Sequence, residues 1–187
     1  MHTKYGLDLV CLSDNFPLSA QPIIEQHHEY IDGSGYPKGL KEQNIDALAK
    51  IVAVVNEFDT LCHPLDISKA RSPHHALSYM YRSMKGKLAE REMKVLIKMM
   101  GIYPPGTIVY LSDQRLGIVM SVNSNNLLCP NVLVYDADVP RLEAPIITLE
   151  PNKLSISKVI KIQTLPAQVA QYLNPRAQVS YHIQGKL

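Results

Sequence analysis

Two adjacent histidines, His27 and His28, stand just before a glycine-rich turn, Gly33-Ser-Gly-Tyr-Pro37, and a third, His2, lies near the start of the sequence. Neutral imidazoles are common ligands for first-row divalent ions. Neighbours on a helix are rotated by about 100° around its axis. The spacing therefore predicts that His27 and His28 serve different ions of a two-metal pair. Metals held close together can grip both the attacking and the leaving oxygen of a displacement. Gly33 and Gly35 permit positive φ, Pro37 stiffens the exit, and such a turn can bring backbone amides to a phosphate. The same residues also fit a helix end carrying two surface histidines and a tight turn.

The elements that must position these residues are legible up to about residue 100 as helices. Leu7, Val10 and Cys11 mark one face of a first helix, and Ile23, Ile24, His27 and His28 a second. Leu48, Ile51, Val52, Val55, Phe58 and Leu61 form a long stripe on a third. Ser72-Pro73 is a start signal for a fourth, running to about Met84. Ala89 to Met100 reads as a fifth, closed by Gly101. Met80, Met84, Met93, Met99 and Met100 read as core filler. His63, His74 and His75 read as surface residues, Asp32 as the cap of the glycine turn, and Cys62 as a buried apolar residue.

Beyond Gly101 the texture becomes β-rich. Runs at 107–111, 116–122, 132–135, 144–149 and 155–162 are separated by turn residues, and a short helix at 165–172 ends at Asn174-Pro175. The expected fold class is α+β. A helical domain, residues 1–100, is followed by a small antiparallel β module or partly open barrel, residues 101–187.

The composition narrows the function classes. The chain has 187 residues, 46% of them hydrophobic, which suffices for a buried core. Residues 1–100 carry 12 acids and 12 Lys/Arg, and residues 101–187 carry 5 and 7. Neither half has the basic footprint of a duplex binder. Three scattered cysteines suit a reducing, cytoplasmic setting, and no apolar run is long enough to span a bilayer.

Residues 27–40, HHEYIDGSGYPKGL, closely resemble the signature of the HD-GYP family, whose members hydrolyse cyclic di-GMP. His2-Thr-Lys-Tyr-Gly6 is similar to the family's upstream His-x-x-x-Gly, IVAVVNEFDTL (51–61) to its next long helix, and Ser72 to Leu77 to the start of the one after. The tail beginning YPPGTIVYLSD resembles a β extension found in one bacterial subgroup. The resemblance implies two or three divalent ions, iron or manganese, with metal roles for His2, His27, His28 and Asn56, the last standing where the family has a carboxylate. It implies that Gly33, Gly35, Tyr36 and Pro37 shape a substrate mouth or a surface for a diguanylate cyclase domain. Lys69, with Arg71, lies nearest the family's phosphate-gripping arginines.

The His-Asp pair that names the family is absent from the sequence, so no catalytic carboxylate is assigned. The resemblance implies the C-terminal part of a cyclic di-GMP phosphodiesterase, inactive alone, completed by a longer chain or hiding apolar surface in a homodimer. The alternative is a non-catalytic signalling module that binds a cyclase or another regulator through the Gly-Tyr-Pro loop.

Overall fold

Amphipathic helical segments come first along the chain, and β-branched runs separated by turns come after them. The computed structural model, which describes residues 2–12 and 15–173, follows that division. It forms an α+β chain of two units. One comprises the residues up to Ala70 together with Ala76–Leu96, and the other comprises Arg71–His75 with the residues from Ile97 onward.

In the first unit, α1 (His2–Val10) and α2 (Gln21–Gln26) pack as neighbours, and α2 packs on α3 (Ala47–Cys62). Gly6 permits the close approach of α1 to α2, since a Cβ there would lie 3.2 Å from Ile24 Cγ2. Asp46 starts α3: its Oδ1 accepts from the Leu48 and Ala49 amides at 2.8 and 3.3 Å, satisfying two orphan donors of the first turn. The helix buries Ala49, Ala53, Val54, Phe58 and Cys62. The expected stripe of Leu48, Ile51, Val52 and Val55 is instead exposed. The helical period is as read, but the phase differs, because α3 is apolar around most of its circumference and its small residues occupy the tightly packed side. Helices α4 (Pro73–Ser83) and α5 (Glu90–Met100) follow. Met80, Met84 and Met93 are buried, whereas Met99 is 52% exposed and is not core.

The second unit holds a five-stranded antiparallel sheet in the order β4-β3-β2-β1-β5. Its strands are β1 (Ile108–Leu111), β2 (Leu116–Ser121), β3 (Asn131–Val134), β4 (Ile146–Thr148) and β5 (Ile156–Ile160). The first four form a meander, and β5 returns to pair with β1, Val109 opposite Val159. Val109, Val119, Val132 and Leu149 fill one buried cluster, while Ile108, Ile118, Leu133 and Leu173 fill another. Val109 and Ile108 are consecutive on β1, so the two clusters lie on opposite faces of the sheet. The closing helix α6 (Ala167–Leu173) supplies Leu173, and Asn174 and Pro175 lie outside the described residues. His74 donates from Nδ1 to the Ile102 carbonyl at 2.7 Å and stacks on Tyr103, and His75 Nδ1 lies 2.7 Å from Ser72 Oγ. These contacts serve the start of α4, and His74 is half-buried rather than solvated.

Among the described residues no helix is long and apolar enough to cross a membrane.

Candidate metal centre

The three histidines meet. His2 lies in the first turn of α1, and His27 is the C-cap of α2 at φ −66° and ψ −3°. His28 lies beyond the helix. His2 Nε2 is 3.2 Å from His27 Nε2 and 3.1 Å from His28 Nε2. The ligand atoms of all three lie within 4.8 Å of one another. The two neighbouring rings do not diverge as a continuous helix would make them; their centroids are 4.3 Å apart. The pair lies where α2 ends: its last residue is Gln26, and His27 caps it with its amide still bonded to the Ile23 carbonyl.

The chemistry of this set fits one divalent ion. Nitrogens about 2.1 Å from a common ion are separated by about 3.0 Å at octahedral and about 3.4 Å at tetrahedral angles. The two short Nε2–Nε2 distances fall in that interval. His27 Nδ1 donates to the carbonyls of Ile23 and Ile24 at 3.1 and 2.9 Å, which puts its proton there and leaves Nε2 a free lone pair. His28 is held neutral, its pKa lowered to about 4 by burial and then by the nearby His27 and His2. A proton on His2 Nε2 can satisfy only one of its two neighbours, whereas a cation satisfies all three. Among the described residues no carboxylate joins this cluster.

The glycine turn wraps directly against the histidine pair. Tyr36 donates its backbone N–H to the His28 carbonyl at 3.1 Å. A Cβ at Gly35 would lie 2.2 Å from Tyr30 N and 2.5 Å from the His28 carbonyl oxygen, so only glycine fits there. Gly33 adopts φ +84°, and the Tyr36-Pro37 peptide is cis. Asp32 caps the turn, accepting from the Ser34 amide and hydroxyl at 2.9 and 2.7 Å, contacts that lower its pKa. The Tyr36 ring lies over His28 with centroids 4.6 Å apart and planes inclined by 15°. Burial raises its phenol pKa.

Glu29 was not singled out from the sequence. It is 2% exposed, and its carboxylate accepts from the Lys38 and Leu40 amides at 2.6 and 2.9 Å. The available signal was indirect: a glycine-rich loop outside regular structure must find acceptors for its amides, and Glu29 is one of two acids, with Asp32, that lie just before it in the chain. Tyr30 donates to Glu57 at 3.2 Å, and burial, reinforced by Glu57, pushes its pKa up to about 12.

The remaining expected site residues stand apart from the cluster's hydrogen bonds. Asn56 is half-buried on α3 and makes no side-chain hydrogen bond among the described residues. Lys69 is exposed and pairs with Asp66 at 3.4 Å.

Comparison with known proteins finds similarities for part of the chain. Residues 8–91 match the family model of the HD domain. The matched span contains His27, His28, the glycine turn and α3, and His2 lies outside it. A cyclic di-GMP phosphodiesterase of Pseudomonas aeruginosa is 35% identical over 60% of this chain and 27% of its own length. The cyclic di-GMP phosphodiesterase response regulator RpfG of Xanthomonas campestris is 38% identical over 46% of this chain and 23% of its own. A cyclic di-GMP phosphodiesterase of Thermotoga maritima is 35% identical over 49% and 25%. The chain thus spans about a quarter of the length of these relatives. No solved structure matches the chain significantly.

Proposed function

We propose that this chain is part of a divalent-metal phosphodiesterase of the HD-GYP type that hydrolyses cyclic di-GMP. The observation that carries this reading is the convergence of three imidazoles, with His2 Nε2 at 3.2 and 3.1 Å from His27 and His28 Nε2, all three ligand atoms within 4.8 Å of one another, and the His27 tautomer set by carbonyls behind it. HD-domain phosphohydrolases are metal-dependent, and the relatives are named for cyclic di-GMP hydrolysis. His2, His27 and His28 would hold one ion. A divalent ion, iron or manganese, supplies Lewis-acid charge for a phosphodiester. The residues of the chain do the positioning. Ile23 and Ile24 carbonyls orient His27, and the Gly33–Pro37 turn lies against the pair, with the Tyr36 ring stacked on His28.

The experiment is metal-dependent hydrolysis of cyclic di-GMP by the 187-residue chain and by a parent protein containing it, each loaded with iron or manganese, beside His27→Ala. Turnover by the parent that His27→Ala abolishes supports the reading. Absence of both bound metal and turnover in the parent overturns it. The carboxylate-free cluster favours one second reading, a signalling module that binds a cyclase domain through the Gly-Tyr-Pro loop. Metal uptake without turnover by the parent, together with Tyr36-dependent cyclase binding, is its signature.

A further inference from the structure

We propose that Tyr36, held in place by a buried clamp from Glu29, is the positioning residue that fixes the His28 ring for metal binding. The inference rests on the reading of the three histidines as a metal site. It concerns how one ligand is oriented.

The two helix-end histidines are restrained in different ways. His27 has its Nδ1 tied to two carbonyls of α2. His28 has no such tie: among the described residues its ring hydrogen-bonds only through Nε2, to His2. A ligand whose second nitrogen lacks an orienting partner keeps its rotamer freedom and gives part of its binding energy back as entropy. Tyr36 supplies the missing restraint. Its ring covers one face of the His28 imidazole in a near-parallel stack, which leaves the ring edge carrying Nε2 directed at His2.

The position of Tyr36 is itself determined. Its amide is bonded to the His28 carbonyl, and the absence of a Cβ at Gly35 lets the turn lie against the His28–Tyr30 backbone. On the far side of Pro37, both carboxylate oxygens of Glu29 are used by loop amides, one each from Lys38 and Leu40. The buried Glu29 carboxylate is satisfied by these backbone donors, so it shapes the loop and is not one of the clustered ligand atoms. Glu29 follows His28 in the chain. The residue after the ligand therefore grips the loop whose tyrosine holds the ligand.

The test is Co(II) binding followed by visible absorption, with melting temperature measured in parallel, for the 187-residue chain and the variants Tyr36→Phe, Tyr36→Ala and Glu29→Gln. Tyr36→Phe keeps the stack and is expected to bind as the wild type does. Tyr36→Ala is expected to bind about 10- to 100-fold more weakly, the usual range for loss of an outer partner of a metal ligand, with an altered cobalt spectrum and little change in melting. Glu29→Gln shifts affinity in the same direction. In Glu29→Gln the further change Tyr36→Ala costs less than it does alone, because the two residues act through one device. Wild-type affinity in Tyr36→Ala, or equal damage in Tyr36→Phe and Tyr36→Ala, overturns the proposal while leaving the metal site standing. Failure of the wild-type chain to bind Co(II), or binding that survives His27→Ala, overturns the site reading and this inference with it. Should Glu29→Gln fail to fold, the Tyr36 pair decides alone.

Discussion

Replacing Gly35 by alanine tests the packing of the glycine turn against the histidine pair. The new Cβ would sit 2.2 Å from Tyr30 N, 2.5 Å from the His28 carbonyl oxygen and 2.6 Å from the Glu29 carbonyl carbon. All three neighbours are backbone, so no side chain can swing away. Reaching ordinary contact requires the turn to retreat by about 1 Å. That retreat takes the bond from the Tyr36 amide to the His28 carbonyl, now 3.1 Å, out of hydrogen-bond range. Overpacking of this kind costs about 1–3 kcal/mol and the lost bond about 1 kcal/mol, together about 3 kcal/mol. For a unit of this size the loss corresponds to roughly 10–20 °C in melting temperature. It is accompanied by weaker Co(II) binding, since Tyr36 moves off His28. Circular dichroism melts and a Co(II) titration read both effects. Gly86→Ala is the control: Gly86 has φ +83° and open space around a Cβ, so only backbone strain of about 1 kcal/mol applies. A Gly35→Ala chain that melts and binds cobalt like the wild type would refute the reasoning.

Three further outcomes are expected. Asp46→Ala removes the acceptor of two first-turn amides of α3 and should lower stability by about 1 kcal/mol in denaturant melts, while Asp46→Asn should recover most of it. His28 has its pKa lowered from 6.5 to about 4 by burial and by His27 and His2; its stabilising effect is complete above about 6.5 and is lost as pH falls toward about 4, because the unfolded chain takes up a proton that the folded one refuses. Metal-free melts should therefore fall more steeply with acidification across that window in the wild type than in His28→Asn, and equal slopes would contradict the assignment. Thiol labelling of the native chain should modify Cys11, which is exposed, and spare Cys62 and Cys129, which are buried; burial, with Asp59 nearby, pushes the Cys62 thiol up to about 12.

Local signals carried the elements well. Ser72-Pro73 marks the start of α4, Gly101 follows the end of α5, and the tight Ser112–Arg115 turn joins β1 to β2 as a hairpin. Three features escaped, each for a reason of distance. The phase of α3 depends on which of two apolar faces meets its neighbours, and period alone does not choose. The pairing of β5 with β1 joins residues about 50 apart, with nothing local to announce it. The convergence of His2 with His27 and His28 joins residues about 25 apart at the end of α2, and helix ends are the least defined part of a periodic pattern. Glu29 was invisible because its partners, the amides of Lys38 and Leu40, have no side-chain signature.

The spacing of His2 and His27, 25 residues, has a mechanical meaning. An ion gripped by both acts as a buckle, fastening the strap made by α1 and the connection to α2. By analogy with a covalent cross-link, closing a ring of that size stabilises the fastened form by about 3 kcal/mol. If the proposed site holds such an ion, chelation would release the α1 end of the strap, and cleavage by a protease within residues 2–12 would read ion release without any substrate.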